Sequence, residues 1–135
     1  MTPVVRSALC KAAAAALALS VAAGCAVGAR SYTQGQRAAN AQQWDEAVEH
    51  YRQALNAAPD KPEYKIALER AMQSAAAFHV QRARALEAEG RMDEALREYR
   101  KASEFDPSNR SIAVRAGEID RDLREKIEAS RPKPV

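Results

Sequence analysis

Two stretches of this chain share one pattern, and no other feature narrows its fold so much. Residues 40–55 can be laid over residues 88–103, 48 positions further on, with the shared core D-E-A-[VL]-x-x-Y-R-x-A at Asp45–Ala54 and Asp93–Ala102. In each copy a proline, Pro59 or Pro107, follows five residues after the last Ala of the core. A unit repeated in this way cannot bury its apolar face alone and must stack on a neighbour. Ala makes up 31 of the 135 residues, and Glu, Arg, Gln and Leu are abundant while Gly and β-branched residues are few. That bias favours helix throughout and leaves no sequence for a parallel sheet.

Helical geometry gives each position of the motif a physical task. Asp45 and Asp93 fall at the start of a helix, where a carboxylate is favoured by the positive end of the macrodipole. Ala47 and Ala95 sit where two helices approach closely, and Tyr51 and Tyr99, one turn later on the same face, fill the groove beside them. Ala54 and Ala102 complete that face, and Pro59 and Pro107 stop the helix. With small residues, an aromatic and a closing proline at these spacings, the pattern resembles the tetratricopeptide repeat. The resemblance extends to a small residue in each preceding helix, Gly35 in the first copy and Ala83 in the second, although Ser31 and His79 stand where the family has Trp. It implies repeats over residues 28–61 and 76–109 and an all-α fold of two helical hairpins, a short solenoid.

The 48-residue period exceeds the 34 of a tandem pair, so 14 residues, 62–75, are added between the repeats. No Gly or Pro interrupts Glu63 to Glu89, and Pro62 suits a first helical position, so the added residues are expected to run straight into the next repeat as one long helix. Beyond Pro107, Ile112, Ala116, Ile119, Leu123 and Ile127 form one apolar stripe at helical spacing, with charge elsewhere. This predicts a capping helix within residues 110–129, started by Asn109, and a Pro-rich tail over 130–135.

The N-terminus carries an address. Residues 1–24 have the three parts of a secretory signal: a basic start with Arg6 and Lys11, an apolar run over 12–23, and small residues before Cys25. The run Val21-Ala22-Ala23-Gly24-Cys25 resembles a bacterial lipobox, with Ala22 where Leu or Val is commoner. The resemblance implies cleavage before Cys25, acylation of that thiol, a tether over 25–30 and anchorage on the periplasmic face of the outer membrane; an ordinary signal peptide and a soluble periplasmic protein is the alternative. Cys10 would leave with the leader, so no thiol remains for redox or nucleophilic work. Without Arg6 and Lys11 the formal charge drops from +3 to +1, with acids and bases interleaved, which argues against nucleic acid as a partner.

Chemistry is hard to find in what remains. His50 reads as a surface residue and His79 as a partly buried one, and neither has a ligand at metal spacing or a nucleophile beside it. No phosphate loop or nucleophile elbow is present. The expectation is a non-enzyme with no metal, no small-molecule substrate and no cofactor apart from acyl lipid on Cys25. In the repeat family the first helix of each hairpin lines the concave binding side, which implies Tyr32, Gln36, Ala39 and Asn40 in the first copy and Val80, Arg84, Glu87 and Ala88 in the second. The Lys and Asn pair of carboxylate-clamp members is missing from these positions, so capture of a C-terminal carboxylate is disfavoured; Tyr32 and Arg84 are the first residues to mutate, since aromatic and Arg anchors dominate interfaces. The partner is expected to be another protein of the cell envelope. The whole pattern, including the run Leu123–Pro134, also resembles the N-terminal repeat region of secretin-like proteins of type II secretion or type IV pilus systems, which implies work in channel assembly. A lipoprotein that recruits a cell-wall enzyme is the further alternative.

Overall fold

The computed structural model describes residues 26–131, and the leader, Cys25 and residues 132–135 lie outside it. Among the described residues there are five helices and no strand: α1 over 26–40, α2 Trp44–Ala57, α3 Pro62–Ala88, α4 Met92–Phe105 and α5 Arg110–Ser130. None of them is long and apolar enough to cross a membrane. α3 is a single helix of 27 residues, about 40 Å long, as the lack of any helix breaker predicts. The chain divides into two compact units between Leu68 and Glu69, within α3. Unit 1 holds α1, α2 and the first turns of α3; unit 2 holds the rest of α3, α4 and α5.

The two copies of the motif form α2 and α4, each 14 residues long, with the two Asp residues in the first turn. Each is entered by the same device. At the end of α1, Gln43 N–H donates to Ala38 O and Gln42 N–H to Ala39 O; at the end of α3, Arg91 N–H donates to Leu86 O and Gly90 N–H to Glu87 O. These are Schellman caps, which need one residue in the left-handed region. Gly90 takes it at φ 76°, whereas in the first copy Gln42 takes it at φ 59° despite its Cβ. Each motif helix also ends alike, with Ala58 N–H on Ala54 O and Asp106 N–H on Ala102 O. Asn109 stands at the start of α5 without capping it through its side chain; its carboxamide oxygen instead accepts from Ser111 Oγ at 2.8 Å.

In unit 1 the core is aromatic. Ala54, Ala58 and Tyr64 are buried together, with Tyr32 and Leu55 packed on them. Tyr32 stacks on Tyr64 at 4.7 Å between centroids and lies tilted at 5.5 Å from Tyr51. Gly35 is required: a Cβ there would come within 2.7 Å of the Tyr51 ring. In unit 2 the core is aliphatic around one tyrosine, with Ala83, Leu96, Tyr99, Ala102, Ile112 and Ile119 buried and Val80, Met92, Ala116 and Leu123 against them. Ala47, Ala54, Ala83, Ala95 and Ala102 are all fully buried, and Tyr51 and Tyr99 nearly so. Pro59 and Pro107 lie exposed in the turns two residues past the ends of α2 and α4.

Candidate protein-binding groove

Unit 2 carries a groove between α3 and α5 whose floor and walls differ in chemistry. Val80 and Ile112 supply apolar floor, Arg84 and Glu87 rise from α3, Ser111 and Arg115 from α5, and Tyr99 of α4 closes the base; the space is about 390 Å³. It continues past Ala76 and Ala77 to Gln73 on α3 and to Asp106 and Asn109 in the turn before α5. Helical spacing explains the α3 wall. Residues 73, 76, 77, 80, 84 and 87 recur at three and four, so they share one face.

Ionic contacts hold the wall in place. Arg115 grips Glu87 with two N–H groups, Nε at 3.1 Å and Nη2 at 2.8 Å, while its Nη1 donates to Glu118 at 2.9 Å. This bidentate geometry is the strong form of a carboxylate contact. The Arg115 hydrogen bonds, helped by the Tyr99 hydroxyl, hold the Glu87 carboxyl below its usual range against the opposing effect of partial burial. Burial, then the adjacent Glu87 carboxylate, pushes the Tyr99 phenol up. Glu87 is therefore a firm anion, and at this wall the two guanidinium groups of Arg84 and Arg115 stand beside two carboxylates, Glu87 and the Glu118 that Arg115 also holds.

The sequence places eight residues on the candidate binding side, and their placement differs between the copies. Val80, Arg84 and Glu87 converge on this groove. Ala88, at the last turn of α3, is exposed outside its lining. In α1, Gln36 and Asn40 are exposed and Ala39 half-buried, but Tyr32 is no open anchor, since its ring is built into the stack with Tyr64 and Tyr51. Tyr32 is half-buried in that stack, and the adjoining aromatic in α3, Tyr64, lies outside the repeat motif. Motif matching also passes over Ser111, Ile112 and Arg115, because α5 has no copy of the motif. A signal for them exists in the 48-residue period, which sets Ile112 over Tyr64 and Arg115 over Ala67.

Two histidines also sit differently from expectation. His79 is buried, 2% exposed, and its Nδ1 lies 2.6 Å from Glu98 Oε2, with the Phe105 ring stacked on it at 5.6 Å. Glu98 is 19 residues away on α4, beyond the reach of local spacing rules. His50 is half-buried, 3.6 Å from Glu46, and its Nδ1 is buried without a hydrogen-bond partner. No group of three or more metal-ligating side chains occurs among the described residues.

Comparison with known proteins fits this architecture. Profiles described as tetratricopeptide repeat match residues 29–63 and residues 76–119. The first covers the α1–α2 hairpin and the second the α3–α4 hairpin with half of α5. Such repeats are protein-interaction modules and typically non-catalytic. No curated protein matches the chain.

Proposed function

Because the chain belongs to the tetratricopeptide-repeat family, we propose that it is a protein-interaction scaffold of the bacterial cell envelope and that the α3–α5 groove of unit 2 receives the partner. The observation that carries this reading is the convergence of Val80, Arg84 and Glu87 with Ser111, Ile112 and Arg115 around one open space. Such a space combines what recognition needs: an apolar floor that gains from losing water and a few fixed polar groups that set orientation. The ionic grip on Glu87 means the wall is organised before the partner arrives, which lowers the ordering cost of binding.

A photo-crosslinking amino acid placed at Arg84 tests the site in cells. We expect one dominant adduct from position 84 and none from the exposed α2 position Arg52; equal adducts from both would refute the groove. The identity of the adduct separates an envelope-assembly role from its two competitors, since a secretion-channel subunit favours the secretin-like reading and a cell-wall hydrolase the recruiting one.

The address is part of the same proposal. The leader and the run Val21–Cys25 support a lipid anchor on the outer membrane, and two or more acyl chains hold a protein on a bilayer far longer than one. Cys25→Ser is expected to move the protein from the membrane fraction to the soluble periplasm. An unchanged distribution in that variant would remove the anchor from the proposal.

A further inference from the structure

The two units present the same positions with different side chains. At the 48-residue offset Tyr32 corresponds to Val80, Tyr51 to Tyr99 and Tyr64 to Ile112. In unit 1 the first and last of these are stacked rings, and they fill the space between α1 and α3. In unit 2 the same positions hold two aliphatic side chains, and the space beside them is the groove. Unit 1 thus offers a template for the open position in unit 2: a flat ring laid over the floor and edged by the tyrosine repeated in both motif helices.

Building on the groove reading above, we propose that the unit 2 groove takes an aromatic side chain, Tyr or Phe, from an extended segment of a partner protein. The ring would lie on Val80 and Ile112, in the place that Tyr32 and Tyr64 occupy in unit 1. The charge of the groove is complementary to such a guest. Arg84 stands at the wall beside the floor, while Arg115 is held between the Glu87 and Glu118 carboxylates. The exposed Arg84 side chain is long enough to fold its guanidinium over the outer face of a ring seated on the floor, a contact that an aliphatic guest of similar size does not gain, and its charge repels Lys and Arg. Ring packing adds specificity beyond area alone. Gln73 and Asn109, further along, are the side chains available to the backbone of an extended segment.

Blocked pentapeptides Ala-Ala-X-Ala-Ala with X as Tyr, Leu or Lys, titrated into the full-length protein with methyl NMR detection, decide the matter. We expect the Tyr peptide to shift the Val80 and Ile112 methyl resonances upfield, as a ring lying over them must. It should bind about ten-fold more tightly than the Leu peptide, a difference of about 1.4 kcal/mol, and the Lys peptide should be weakest. Val80→Tyr, which installs the unit 1 residue, should abolish Tyr-peptide binding while keeping the helical circular dichroism. Arg84→Gln, an exposed change without risk to the core, should reduce binding of the Tyr peptide several-fold and that of the Leu peptide little. If the Leu or Lys peptide moves the same methyls equally well, the aromatic preference is wrong and the groove survives as a binding site. If no peptide moves them, the inference fails, and the crosslink from position 84 still judges the groove independently.

Discussion

Units 1 and 2 are drawn to one plan and use it differently. In unit 1 the ring stack of Tyr32, Tyr51 and Tyr64 fills the space between α1 and α3 with the chain's own atoms, and Gly35 gives up its side chain so that Tyr51 can come close. In unit 2, Val80 and Ile112 stop short, Ala83 takes the place of Gly35, and Arg84, Glu87 and Arg115 form a charged wall where unit 1 has Gln36, Ala39 and Ala67. The lesson is that burial and recognition draw on the same positions. A repeat that fills its groove with its own rings gains core, and one that leaves it open keeps a groove at some loss of packing.

Substitutions can break this contrast in order of size. Tyr64→Ala should cost the most, about 3–4 kcal/mol, because a nearly buried ring and its stacking partner are lost together. Urea unfolding followed by circular dichroism measures it, and a loss below that of Ile112→Ala at the equivalent position would deny that unit 1 depends on its rings. Gly35→Ala should cost about 1–2 kcal/mol, since the new methyl overlaps the Tyr51 ring and the gain in helix propensity offsets only part of the strain. A higher urea midpoint in that variant would contradict the close approach.

The third prediction concerns pH and applies to unit 2 alone, as Ala39 replaces Glu87 in unit 1. Glu87 has a lowered folded-state pKa, so its stabilisation is present above the ordinary carboxylate range and is lost as pH falls through the folded value. Hydrogen exchange of α3 and α5 amides around the groove should therefore accelerate as pH falls below that range, beyond the intrinsic change in exchange rate, by an amount equivalent to about 1 kcal/mol. Glu87→Gln should remove that pH dependence; its persistence in the variant would assign the effect elsewhere. Effects no larger than this lie in the caps. Gln42→Gly should raise stability by about 0.5–1 kcal/mol by relieving a left-handed residue, and Gly90→Ala should lower it by about 1 kcal/mol.

Much of this fold is legible in the sequence because it rests on local rules. The motif fixes α2 and α4, the run without Gly or Pro from Glu63 to Glu89 matches the single helix α3, and the Ile112–Ile127 stripe marks α5. Local rules fail where the partner of a residue is distant or unlike the motif. Tyr32 is drawn into the core by Tyr64, His79 finds Glu98 across two helices, and the left-handed Gln42 lacks the Gly that would announce it. The α3 wall of the groove follows from helix periodicity, whereas its α5 wall needs the 48-residue period carried past the motif itself.

The helices of unit 2 meet through alanines: Ala83, Ala95 and Ala102 expose nothing. Such small side chains allow close approach but by themselves do little to fix register. The His79–Glu98 contact opposes that sliding, because a shift of α4 along α3 by one turn would take the buried imidazole away from the carboxylate that meets its Nδ1, while Glu98 itself is part-buried with Arg82 3.6 Å away. Its worth therefore lies less in net stability than in alignment, as a dowel that admits one seating of α4 on α3 and so fixes where Tyr99 stands beneath the groove.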